Sequence, residues 1–85
     1  MTVLSSSEWV RYHEKCTARA KHGKLARLSA GFYYTRSPKG HLLKIFQIDE
    51  GYYEGWWLVE SANIYAYSDP VATLREAKEI AWNWD

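Results

Sequence analysis

The sequence predicts an α+β domain of order α-β-β-β-β-α, a four-stranded antiparallel meander with an N-terminal and a C-terminal helix. Three observations predict it. Ser-x-x-Glu or Thr-x-x-Glu precedes an apolar stripe of helical period near each end of the chain. Between them run ring-rich segments separated by Gly, Pro, Asn and Asp. Every connection between these segments is short, so neighbours pair antiparallel. Eighty-five residues make a single domain, 1–85.

The first helix opens at Ser5-x-x-Glu8, where a serine hydroxyl and a glutamate can satisfy the first N–H groups. Trp9, Tyr12, Cys16 and Ala20 form its apolar stripe, and Arg11, Lys15 and Ala18 face away. Gly23 is the predicted stop, with Arg19, Lys21 and His22 at the negative end of the helix dipole. A strand over 28–37 ends in the turn "RSPKG". The second strand covers 41–48, "DEGYYEG" is a loop, the third covers 56–60, "SAN" turns the chain, and the fourth covers 64–67. After the breaker Asp69-Pro70, Thr73-x-x-Glu76 starts the last helix. Leu74, Ala77, Ile80, Ala81 and Trp84 share one of its faces, and Trp82 falls well off that face, exposed or partly so.

A sheet with one wet face alternates apolar and polar residues. Here both faces are apolar. Leu43 and Ile45 oppose Leu42, Phe46 and Ile48, Trp57 and Val59 oppose Trp56 and Leu58, and Phe32 and Tyr34 oppose Tyr33. One helix on each face would cover them. A face left partly open would offer Tyr33, Tyr65, Tyr67 or Trp56 to a partner. One tryptophan of the Trp56–Trp57 pair goes inward, and the other stands with Tyr52 and Tyr53 at the loop.

Charge is sorted along the chain. Residues 1–45 hold nine Lys/Arg and two Glu, whereas residues 46–85 hold two Lys/Arg and eight Asp/Glu. The two sets either neutralise each other across the fold or leave a basic surface for an acidic partner. One cysteine excludes a disulfide within the chain, and a lone thiol without a signal sequence predicts a cytoplasmic protein. No run approaches the ~18 apolar residues of a membrane span, so no membrane partner is expected.

His13-x-x-Cys16 is too small a set for zinc, which needs three or four ligands. Phosphate-loop, paired-carboxylate and nucleophile–base motifs are missing from the sequence. No enzyme, metal or cofactor is expected.

"GFYYT", "WWLVE" and "YSDPVATLREAKEIA" together resemble small orphan accessory proteins of actinobacteriophages, including mycobacteriophages, over residues 31–82. That resemblance implies a nonstructural viral protein that binds and modulates a host bacterial protein in the host cytoplasm. It transfers no functional residue, because the shared pattern is one of packing. A second resemblance is to the double-stranded RNA-binding domain, through "REAKEIA" and "KGH". That domain carries lysines at the start of its last helix. Here Thr73, Leu74, Arg75 and Glu76 stand there, so its phosphate contacts are not implied.

The expected function is therefore non-enzymatic binding of a host protein. Tyr52, Tyr53, Trp56 and Trp82 are the expected aromatic anchors, and Arg11, Lys15 and Arg19 the expected electrostatic contacts. Nucleic-acid binding by the basic first helix is the alternative, and a homodimer is a third expectation.

Overall fold

The computed structural model describes residues 6–62 and 66–84. Its elements are α1 (Ser6–Arg19), β1 (Ala26–Ser29), β2 (Phe32–Arg36), β3 (Leu42–Gln47), β4 (Trp57–Ser61) and α2 (Leu74–Trp82). The strands form one antiparallel sheet in the order β1-β2-β3-β4. The architecture is the predicted α+β meander between two helices, although its four strands are not the four expected segments.

The segment 28–37 is a hairpin, not a strand. Between Leu28 and Phe32 stand Ser29, Ala30 and Gly31, three small residues with nothing to bury on a sheet. Gly31 adopts φ +74°, open to a residue without a Cβ, and its carbonyl accepts from the Gln47 N–H at 2.8 Å. The register slips between Arg27 and Ser29, and Ser29 pairs directly with Phe32.

Beyond β4 the expected fourth strand is an irregular return. Residues 63–65 lie outside the described residues. Residues 66–71 run beside β4 with bridges Glu60↔Tyr67 and Trp57↔Val71. Ser68 and Pro70 explain the interruption. The Ser68 N–H donates to Val59 O (2.7 Å), and its hydroxyl accepts from the Val59 N–H (3.0 Å). Pro70 has no N–H to offer a ladder. The β4 edge is thereby satisfied without a regular strand.

Helix α1 ends differently from expectation, and α2 starts where expected. Ser5 lies outside the described residues. Gly23 (φ +82°) does not stop α1, which ends at Arg19; it closes a separate turn in which the Lys24 N–H reaches Lys21 O at 3.0 Å. The end of α1 is closed from the sheet. Arg36 donates to Ala20 O (3.1 Å), Thr17 O (3.4 Å) and Gly40 O (3.0 Å), placing a cation where the helix dipole is negative. At the start of α2, Thr73 Oγ1 accepts from the Glu76 N–H at 3.2 Å, as the motif predicts. At its end the Asn83 side chain donates to Glu79 O (2.8 Å).

Each helix takes one face of the sheet, and each face carries its own core. Under α1 lie Cys16, Ala20, Ala26, Leu28 and Tyr34. Under α2 lie Leu43, Ile45, Val59, Ala77 and Ala81, with Leu74, Ile80 and Trp84 packed against them as the helical stripe predicts. Among the described residues no helix is long and apolar enough to cross a membrane. Removing the α2 cap with Thr73→Ala should lower stability by about 1 kcal/mol in urea unfolding, with the fold unchanged.

Candidate partner-binding surfaces

The pleat sets which side chains can reach a partner. Phe32, Tyr34, Lys44, Phe46, Leu58 and Glu60 share the α1 face by register, and Tyr33, Ile45, Trp57 and Val59 share the α2 face. Helix α2 packs across β2, β3 and β4, but α1 packs on β1 and β2. Phe46 and Leu58, on the uncovered half of the α1 face, remain half-buried. Lys44 and Glu60 approach to 4.0 Å there, each side chain 30 % exposed. This pair joins the basic and acidic halves of the chain, and at that exposure it adds little stability.

The β3–β4 loop continues this surface. It is pinned at its base, where the Ile48 N–H donates to Trp56 O (2.8 Å) and the Gly55 N–H to Ile48 O (2.8 Å). The Trp56 N–H donates to Tyr53 O (2.9 Å), the Glu54 N–H to Gly51 O (3.2 Å), and Gln47 Nε2 to Gly55 O (2.9 Å). Gly51 and Gly55 take the positive φ values, +90° and +87°, that such a tight path demands. The result is a ring cluster facing water. Tyr52 meets Tyr53 edge-on at 4.9 Å between centroids, and Tyr53 meets Trp56 at 5.1 Å. Tyr52 is 94 % exposed, Tyr53 40 % and Trp56 38 %. Asp49, Glu50 and Glu54 share the same loop, all exposed. A shallow concavity of about 660 Å³ opens beside the loop, lined in part by Ala30, Phe32, Phe46, Ile48, Asp49 and Glu50.

Trp57 is the inward member of the tryptophan pair. It joins the α2 core and lies 6.1 Å from the Tyr33 ring. Of the rings expected on an open face, Trp56 and Tyr67 (67 % exposed) are there. Tyr33 instead packs into the α2 core, and Tyr65 lies outside the described residues.

The seven expected contact residues fall into three places. Tyr52, Tyr53 and Trp56 form the loop cluster. Trp82 is partly exposed, as its position off the stripe predicts, but its indole N–H is committed to Thr35 Oγ1 (3.0 Å). The buried Thr35 hydroxyl also sits 2.9 Å from the carbonyls of Lys21 and Lys24, and His22 Nε2 donates to Trp82 O at 3.2 Å. Trp82 therefore staples α2 to the turn after α1. Arg11, Lys15 and Arg19 are exposed on α1, which packs at the β1 end of the sheet. They do not border the ring cluster, whose own charges are negative.

Trp9 and Tyr12, on the predicted apolar stripe of the first helix with Cys16 and Ala20, are not buried with them. They are 48 % and 40 % exposed, and Val10 is 51 % exposed. Fourteen helical residues span about 21 Å, whereas the four residues of β1 span about 13 Å. The first turns of α1 overhang the sheet. Tyr12 is anchored by its hydroxyl, which donates to Leu28 O at 2.7 Å. The alternation of apolar residues carries no signal for such an overhang; the unequal element lengths do.

His13 and Cys16 have separate tasks within the fold. The Cys16 thiol donates to Ala26 O (3.5 Å), and His13 Nε2 shares a 2.7 Å hydrogen bond with the Tyr34 hydroxyl. Burial, with a smaller contribution from Cys16, pushes the Tyr34 hydroxyl above its ordinary pKa. Tyr34 therefore stays neutral. Among the described residues no group of three His, Cys, Asp or Glu is placed to hold a metal ion.

The two adjacent tryptophans should separate cleanly by mutation. Trp57→Ala should cost about 3 kcal/mol in chemical unfolding through the cavity it leaves, whereas Trp56→Ala should change stability by less than about 1 kcal/mol.

No protein-family model matches this chain, and no curated protein or solved structure matches it either.

Proposed function

We propose that the chain is a non-enzymatic binding protein that docks on another protein through Tyr52, Tyr53 and Trp56. The single observation that carries this reading is the hydrogen-bonded loop that holds three rings together in water. Leaving Tyr52 almost wholly exposed gains nothing for folding, since its ring removes little apolar area from water. A rigid ring cluster is what a partner pocket captures at low entropic cost, and Tyr and Trp dominate interface energy when they are buried on binding.

The charges refine the choice of partner. Asp49, Glu50 and Glu54 share the loop with the rings, so the complementary surface is an apolar pocket edged by Lys or Arg. These charges speed encounter and select orientation, and the rings supply the affinity. Phe46 and Leu58, half-buried on the adjoining sheet face, extend the apolar area available to that partner. We further propose, from the sequence resemblance of residues 31–82 to actinobacteriophage accessory proteins, that the partner is a protein of the bacterial host, modulated by occupancy of its surface.

A tagged chain and its Tyr52→Ala/Trp56→Ala variant should be compared as baits in bacterial lysate, with partners identified by mass spectrometry. The wild type should retain one basic-patched protein. The variant, equally folded by circular dichroism, should bind the purified partner at least ~100-fold more weakly. Equal capture by both baits would remove the loop from the interface.

A further inference from the structure

The cations that the aromatic loop does not use gather at the other end of the sheet. Arg11, Lys15 and Arg19 are four residues apart, so they form one stripe along α1 that turns by about 40° at each step. Its Arg19 end reaches a groove on the outer side of β1. Tyr12, Arg19, Lys24, Leu25, Ala26 and Arg27 line this concavity of about 500 Å³. Of the two acids in α1, Glu14 points away from Tyr12 by helical spacing, and Glu8 lies one turn ahead of it.

The groove is built. Thr35, wholly buried, engages both carbonyls of the Lys21–Lys24 turn, so Lys24 rides on a fixed support. Tyr12 is oriented by its bond to Leu28 O, yet its ring remains 40 % exposed. Trp9 stacks behind it at 5.9 Å with planes 28° apart. Three cations from three places in the chain thus surround the edge of a fixed ring.

We infer that this groove binds single-stranded nucleic acid. Arg19, Lys24 and Arg27 meet successive phosphates, Lys15 and Arg11 extend the track, and Tyr12 stacks on a base. Cations along a groove that also presents an aromatic face are the combination that single strands require. An acidic protein surface would satisfy the charges but would leave the ring without a flat partner. A duplex would satisfy the charges too, but it hides its base faces in its own stack. The surface is separate from the loop of Tyr52 and Trp56, so it adds a second partner to the first.

The test is fluorescence anisotropy with a labelled 20-residue oligothymidylate, at 50 to 200 mM salt, on the full chain. Five neutralised phosphates give a slope of roughly −3.5 in log affinity against log salt, a ~130-fold loss over that range. Arg19→Glu/Lys24→Glu, two exposed positions, should flatten that slope by at least about 1 and weaken binding ~100-fold at low salt, with an unchanged circular dichroism spectrum. Tyr12→Leu should weaken binding about tenfold, whereas Tyr12→Phe, which keeps the stacking ring and loses only its orienting bond to Leu28 O, should weaken it by less than about threefold. Tyr52→Ala/Trp56→Ala should have no effect, which keeps this result independent of the loop. No binding at 50 mM salt would overturn the inference, as would indifference to the charge reversal. So would equal affinity for duplex DNA, or competition by polyglutamate as strong as by oligothymidylate with no effect of Tyr12→Leu.

Discussion

A sheet that is apolar on both sides must be covered on both sides, and this chain has two short helices with which to do it. Helix α2 spans β2 to β4 and seals Ile45 and Val59 completely. Helix α1 packs on β1 and β2 and leaves Phe46 and Leu58 half exposed on the remaining half of its face. Each ring left partly in water forgoes some of the roughly 25 cal/mol per Å² that burial would contribute. In so small a domain that loss is a sizeable share of the stability margin. The uncovered half-face and the loop beside it follow from this one mismatch between sheet and helices.

The charge sorting becomes spatial, with exceptions that matter. Asp49, Glu50 and Glu54 stay together on the β3–β4 loop, and Arg11, Lys15 and Arg19 stay together on α1. Lys44 and Glu60 meet across β3 and β4, a partial neutralisation between the halves. Arg36 is absorbed by the carbonyls at the end of α1, so its charge serves the helix and not a partner. The molecule therefore presents an acidic aromatic surface and a basic one, each on a rigid support. Both supports are networks of backbone carbonyls satisfied at close range: Gly51, Tyr53 and Gly55 in the loop, and Lys21 and Lys24 over Thr35. That rigidity lowers the ordering cost of binding at either place.

How much of this was legible in the sequence depended on whether the signal was local. The Thr73 cap, the stripe of α2, the turn before β3 and the double-faced alternation of β3 and β4 are local patterns, and the structure follows them. The rings Tyr52, Tyr53 and Trp56 were legible as a cluster because they sit within five residues of a glycine-bounded loop. What was lost depended on contacts between distant residues. The hairpin at Gly31 is the exception, since Ser29, Ala30 and Gly31 mark its turn locally inside a segment that otherwise reads as one strand. Trp82 falls off the helical stripe, but Thr35, forty-seven residues away in the chain, captures its indole N–H. Lys24 and Arg27 become neighbours of Arg19 only because the chain doubles back after α1. Helical spacing shows the stripe of Arg11, Lys15 and Arg19 but says nothing of Lys24 and Arg27, which lie beyond the helix.

Tyr52, Tyr53 and Trp56 are held out in water while the adjacent Trp57 is held in. Hydroxyl-radical footprinting of the isolated monomer, read residue by residue by mass spectrometry, tests it most directly. Tyr52, Tyr53 and Trp56 should be labelled rapidly, with Trp57 and Tyr34 labelled much later. Protection of the three loop rings to the level of Trp57 in a monomer would contradict it.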